Sequence, residues 1–168
     1  MAESIQFGNL TITIADHGTE AVYTFKGEVD EFFRQKDVPR IKSQNIILVL
    51  EDITHFNSCG IREWVYMIRD FAKIGRLVFR KCSVAMVDQI NMVPDSISGG
   101  EVESFFAPYA CDDHGEMAQL IDMKTMFSKL STKSAPEMKC SKCNKNLEFD
   151  ALPGSYFLFC SPEVSKAS

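Results

Sequence analysis

Long apolar runs are missing from this sequence. None approaches the roughly 18 residues that a helix needs to cross a bilayer. The first ten residues, MAESIQFGNL, lack a basic segment followed by an apolar core, so they do not read as a signal peptide. Arginine stops at Arg80, and 23 acidic residues outnumber 18 basic ones, a formal net charge of −5. That balance disfavours both sequence-independent phosphate binding to nucleic acid and docking on anionic membranes. There is no internal repeat and no low-complexity tract. What remains is globular in composition. Hydrophobic residues make up 45% of the 168, enough for one ordinary domain with a small appendage. The chain is expected to be soluble and cytoplasmic.

Six cysteines could form three disulfides, but without a secretion signal, free thiols or metal ligands are the expected state. Cys59 and Cys82 stand alone, whereas Cys111, Cys140, Cys143 and Cys160 crowd into the last third.

The patterning predicts mixed α/β structure. NLTITIAD alternates Leu10, Ile12 and Ile14 with polar residues, and EAVYTFKG is a second β-rich run, so the pair reads as a hairpin. EVDEFFRQKDVPRIKSQ reads as a short helical segment interrupted before Pro39. NIILVL has no alternation, the mark of a strand buried on both faces. In CGIREWVYMIRDFAKIG, residues Ile61, Trp64, Val65, Ile68, Phe71 and Ala72 fall on one helical face, ended by Gly75. RLVFRKC reads as a strand, SVAMVDQINMV as a helix capped by Ser83, and EVESFFAPYAC as a last strand. Alternation of strands and helices predicts a parallel sheet, with the opening hairpin adding an antiparallel strand. Beyond it, EMAQLIDMKTM fits strand or helix spacing and is read as strand. STKSAPE is a loop, and LEFDALPGSYFLF a hairpin turning at Pro153-Gly154.

Two paired ligand sets lie in the last third: Cys111-x2-His114 in CDDH and Cys140-x2-Cys143 in CSKC. Two intervening residues let a tight knuckle aim both side chains at one ion. Two knuckles close a tetrahedron of three thiolates and an imidazole, which favours zinc in a structural, fully protein-ligated site. If His114 does not bind, Cys160 could be the fourth ligand, with Asp112 or Asp113 poorer choices. The pattern looks like a zinc ribbon. Ribbons often bind nucleic acid, but here Lys and Asp/Glu are nearly balanced, Arg is absent, and the aromatics of SYFLF suit a core better than a base-stacking platform.

The stretch HFNSCGIREW, between the aliphatic run and the amphipathic helix, makes a helix cap: Asn57 or Ser58 can accept from the first free amides, and Gly60 allows close approach. Two further roles are open to it. Cys59, on a helix N-terminus, could serve as the nucleophile of an enzyme or as a redox sensor. Ser58, exposed at the end of a buried strand, could accept a phosphate whose charge the free amides partly stabilise.

Here TFKGEVD, NIILVLEDITHFNSCGIREW and RLVFRKCSVAMVDQINMV together resemble the STAS domain of bacterial anti-sigma factor antagonists, over about residues 8 to 110. Gly27-Glu28-Val29-Asp30 matches the family's turn after a short strand. Glu51-Asp52-Ile53 matches its acidic step, and Asn57-Ser58-Cys59-Gly60-Ile61 its Asp-Ser-Ser-Gly-Leu turn. Asn57 stands where the family has Asp and Cys59 where it has a second Ser. The cysteine-bearing region takes the place of the usual final helix. The resemblance implies a mostly parallel mixed sheet with helices on one side, and a non-enzymatic partner-switching module. Its first turn serine, Ser58 here, would be phosphorylated by an anti-sigma factor with serine kinase activity. Asn57, Ser58, Cys59, Gly60 and Arg62 would form the partner surface.

The combined expectation is an α/β STAS-like domain over 1–106 and a small zinc-ribbon-like β subdomain over 107–168. The alternatives are a Cys59-based enzyme or redox sensor, and a nucleic-acid-binding ribbon.

Overall fold

Period-two alternation builds the edge of the main sheet. Strands β1 (Ala2–Phe7), β2 (Leu10–Asp16) and β3 (Glu20–Val29) pair as antiparallel neighbours. The computed structural model describes residues 2–161, so residues 162–168 of the expected second unit lie outside it. β1 was not among the expected elements. Only Ile5 and Phe7 of its six residues turn toward the core, too short an alternation to stand out.

β4 (Asn45–Phe56), β5 (Arg76–Arg80) and β6 (Glu101–Val102) extend the sheet with parallel pairing, giving a mixed six-stranded sheet in the order β1-β2-β3-β4-β5-β6. The aliphatic run opens β4 as expected, but the strand continues through DITHF, twice shifting register against β3. One sheet face presents Leu10, Ile12, Ile14, Tyr23, Phe25, Ile46, Leu48, Leu77 and Phe79 to the core. Helix α1 (Ser58–Ala72) lies on that face: Trp64 packs edge-on against Phe25 at 5.1 Å and Phe56 at 5.6 Å, and Phe71 sits 4.8 Å from Tyr23. Met86, Val87 and Ile90 of α2 (Val84–Met92) join the same core, and Ser83 caps α2 by accepting from the Met86 amide at 3.2 Å. Burying each such side chain contributes about 1.5–3 kcal/mol. Among the described residues no helix is long and apolar enough to cross a membrane.

The segment between β3 and β4 is not the expected helix. It is irregular with a single 3-10 turn at Gln35–Asp37. The Asp30 carboxylate accepts from the Phe32 amide at 2.9 Å, folding the chain back so that Phe33 buries its ring 5.5 Å from Phe7. Pro39 then bars continuation, since it lacks the amide a helix needs.

EVESFFAPYAC is also not one strand. Its first two residues are β6, and from Ser104 the chain enters a second sheet as β7 (Ser104–Cys111). The switch is held by backbone bonds from Cys82 N–H to Ser104 C=O and from Phe106 N–H to Cys82 C=O. β7 pairs antiparallel with β8 (Gly115–Asp122) and β9 (Glu148–Phe149), in the order β8-β7-β9. β7 therefore runs across the expected boundary at 106/107, and one continuous buried cluster spans both sheets.

EMAQLIDMKTM is strand only to Asp122. There the Asp122 carboxylate accepts from Thr125 N–H at 3.0 Å and caps α3 (Met123–Leu130). The expected LEFDALPGSYFLF hairpin is replaced by the two residues of β9, a single helical turn α4 (Pro153–Tyr156) and a 3-10 turn at Leu158–Cys160. The aromatics decide this. Phe149, Tyr156, Phe157 and Phe159 close around Phe105 and Tyr109 with ring centroids 5.1–6.5 Å apart, a packing that a flat hairpin with alternating faces could not make. Asn91 of α2 clasps this segment from both sides, donating to Tyr156 C=O at 2.9 Å and accepting from Phe159 N–H at 3.0 Å.

Candidate metal centre and helix-cap turn

β7 delivers the first pair of candidate ligands. Cys111 is its last residue, and the turn to β8 closes with Cys111 opposite Gly115, whose φ of +75° suits glycine. His114 N–H donates to Cys111 C=O at 3.2 Å, holding the knuckle tight. The second knuckle is built alike. Cys140 N–H donates to Lys145 C=O and Asn144 N–H to Cys140 C=O, both at 2.8 Å, with Asn144 in the left-handed region and Lys139 bridging Asn146.

The two knuckles face each other. One ligand atom each from Cys111, His114, Cys140 and Cys143 lies within 4.8 Å of all the others. Nδ1 of His114 is 3.6 Å from Cys111 Sγ and 3.5 Å from Cys140 Sγ, and the sulfurs of Cys111 and Cys143 are 3.6 Å apart. A tetrahedral ion with metal–sulfur bonds of about 2.3 Å and a metal–nitrogen bond of about 2.0 Å would set sulfur–nitrogen edges near 3.5 Å and sulfur–sulfur edges near 3.8 Å. These three separations match that frame, and the other three lie within 4.8 Å, so this cluster can hold a metal ion.

The electrostatics suit thiolate ligation. The Lys142 backbone amide, helped by that of Cys143, outweighs burial and pulls the Cys140 thiol down to about 6. At Cys143 the Lys145 amide lowers the thiol, but burial and the adjacent Cys140 and Cys111 sulfurs outweigh it and push it up. Their charge would be neutralised by a bound cation. His114 is exposed although its Nδ1 points into the cluster, which leaves the outer edge of its ring toward solvent.

The other proposed ligands lie elsewhere. Cys160 is outside the cluster, buried beneath the aromatic group, and burial pushes its thiol up to about 12. Asp113 pairs with Lys145 at 2.7 Å, and Asp112 is exposed. Cys82 is fully buried, which pushes its thiol up strongly. Tyr156 and Phe157 of SYFLF are buried and offer no stacking platform.

The second feature is the turn into α1. Asn57 is the N-cap, with extended backbone (φ −105°, ψ 174°) and its Oδ1 accepting from Gly60 N–H at 2.8 Å. Its Nδ2 donates to Glu31 Oε2 at 2.6 Å, and its backbone N–H donates to Val29 C=O at 3.1 Å. One side chain thus ties α1 to the segment after β3. Glu31 is held below the usual carboxylate range, first by its own backbone amide and then by Asn57. Gly60 is required: a Cβ there would lie 1.9 Å from the Val29 carbonyl oxygen and 2.4 Å from its carbon.

Ser58, Cys59 and Arg62 are exposed, on the first turns of α1. Two large apolar groups are exposed on the elements that meet here, Tyr66 at 47% on α1 and Phe32 at 58%, the residue after Glu31, whose ring lies against Gly8. Ile61, Arg62, Val65, Tyr66, Arg69 and Val93 line a shallow groove of about 250 Å³ beside the turn. The sequence patterning gave no sign of Glu31 as a partner of this turn. A polar residue in an irregular loop has no periodicity to mark it.

No protein-family model matches this chain, and no curated protein matches it.

Proposed function

We propose that this chain is a non-enzymatic, STAS-like regulatory module that exchanges protein partners through phosphorylation of Ser58, with structural zinc closing a zinc-ribbon-like second sheet. The observation that carries this reading is the turn itself. Ser58 stands exposed on a helix start whose backbone is locked by Asn57 to Gly60 and by Asn57 to Val29 and Glu31. A hydroxyl presented on a rigid, accessible turn suits a kinase and lets a charge be added without unfolding the domain. In the reaction Ser58 Oγ attacks the γ-phosphorus of ATP bound to the kinase. ADP departs, and the hydroxyl proton passes to a base on the kinase.

Asn57 fits this reading despite standing where the STAS family has Asp. Its Nδ2 binds the Glu31 carboxylate, so the negative charge the family carries at the cap is present beside it. The phosphate would take the free first-turn amides and Arg62, four residues on and therefore on the same helix face. Phe32, Tyr66 and the Arg62 groove supply apolar area for an anti-sigma-type serine kinase as partner. The Cys3His cluster supports the zinc assignment through its tetrahedral edge lengths and its donor set, which is soft and borderline. With all four positions filled by protein, the ion would be structural.

Incubation with a cognate anti-sigma serine kinase and ATP tests the switch. Wild type is expected to be labelled and Ser58→Ala not. Equal labelling of both would remove Ser58 from the mechanism. Metal analysis of freshly purified protein is expected to find about one zinc per chain, because a closed site binds tightly. Less than about half an equivalent would remove the ribbon.

A further inference from the structure

We infer that β8 is a self-pairing edge and that two copies of this chain join through antiparallel β8–β8 pairing. β8 borders the second sheet: β7 occupies one of its sides and, among the described residues, no strand pairs with the other. Natural edge strands are normally blunted by charged side chains, above all lysine, or by proline, bulges or short length. β8 has charges only near its ends, Glu116 and Asp122, and has no lysine or proline. It is eight residues long, its pairing with β7 runs without a register shift, and Met117 to Ile121 carry no charge. Ala118 and Leu120, the latter 48% exposed, stand on the outer sheet face opposite Pro108 and Phe106 of β7, continuing a small apolar patch.

Charge selects a second copy as the occupant. In a two-fold antiparallel pair, facing residues lie on the same side of the sheet, so the axis must pass between a residue and its own copy. With Ala118 on the axis, Glu116 faces Leu120 of the other copy and Met117 faces Gln119. No like charges meet. Beyond the strand, the acidic turn with exposed Asp112 runs toward the start of the other copy's α3, where Lys124 and half-exposed Phe127 stand. The two-fold repeats that acid-to-base match at both ends, and the second sheets merge into one of six strands. This inference does not depend on the Ser58 reading.

Sedimentation velocity of the full chain from low to several hundred micromolar tests it. Wild type is expected to dimerise, and Ala118→Lys, which places two lysines across the axis, to weaken association by at least about tenfold. Metal content of the variant, and its melting temperature at concentrations where wild type is monomeric, are expected to stay unchanged. A wild type that stays monomeric throughout, as it would if a foreign peptide were the true occupant, overturns the inference. So does a dimer indifferent to a folded Ala118→Lys. If that variant loses its metal or its fold, hydrogen exchange on wild type decides instead. Protection of residues 116–121 that grows with protein concentration supports the pairing, and its absence overturns it.

Discussion

Replacing Gly60 with alanine tests the joint between α1 and β3. The new Cβ would lie 1.9 Å from the Val29 carbonyl oxygen, 2.4 Å from its carbon and 2.8 Å from the Asp30 nitrogen. All three are backbone atoms. The Val29 carbonyl also accepts from the Asn57 amide, so it cannot swing away without breaking the bond that seats the cap. Overpacking costs about 1–3 kcal/mol and more where the neighbours are rigid. Alanine returns up to about 1 kcal/mol through its better helix propensity. The net expectation is a loss of about 2 kcal/mol, a fall in melting temperature of roughly 4–8 °C for a chain of this size. Thermal unfolding followed by circular dichroism measures it. Gly154→Ala serves as the control, because nothing lies within 4 Å of a Cβ there. A Gly60→Ala protein within about 0.5 kcal/mol of wild type, the ordinary range for an innocuous surface change, would refute the close approach on which the geometry of the turn rests.

Three further outcomes follow from the same structure. Asn57→Ala should cost about 1 kcal/mol in denaturant unfolding, the usual value of an N-cap. Asn57→Asp should keep the cap yet be less stable than wild type near neutral pH, because two carboxylates would then face each other. It should gain on wild type as the pH falls, because wild-type Glu31, lowered by folding, contributes stability above the ordinary carboxylate range and loses it as pH drops through its folded value. Cys140→Ser, or treatment with a strong chelator, should raise hydrogen exchange at residues 111–115 and 139–146 and leave β3 and β4 protected; uniform deprotection would show that the metal centre is not a local staple.

Where the sequence was readable, one physical signal dominated. α1 was legible because four of its residues, Trp64, Met67, Ile68 and Phe71, must share one buried face, and three of them stand out at helical spacing. The four clustered ligands were legible because a two-residue spacing is what a knuckle requires, and the structure brings those four together. The hidden parts were settled by tertiary contacts. Nothing local tells EVESFFAPYAC to change sheets at Glu103; the Cys82 backbone bonds do. Pro-Gly in LEFDALPGSYFLF signals a turn, but only aromatic packing on Phe105 and Tyr109 turns it into helix. The strand β1 and the Phe33 anchor belong to the same class, short apolar signals that acquire meaning only against a core already formed.

A Ser58 switch on a zinc-stapled module would leave two marks on the mass of the protein. Intact mass of the protein from its own host, recorded in native and then denaturing conditions, tests both parts in one measurement. One zinc per chain is expected in the native spectrum, lost on denaturation, together with a fraction carrying a single phosphate that disappears in Ser58→Ala. A chain without zinc, or a phosphate that persists in Ser58→Ala, would contradict that reading.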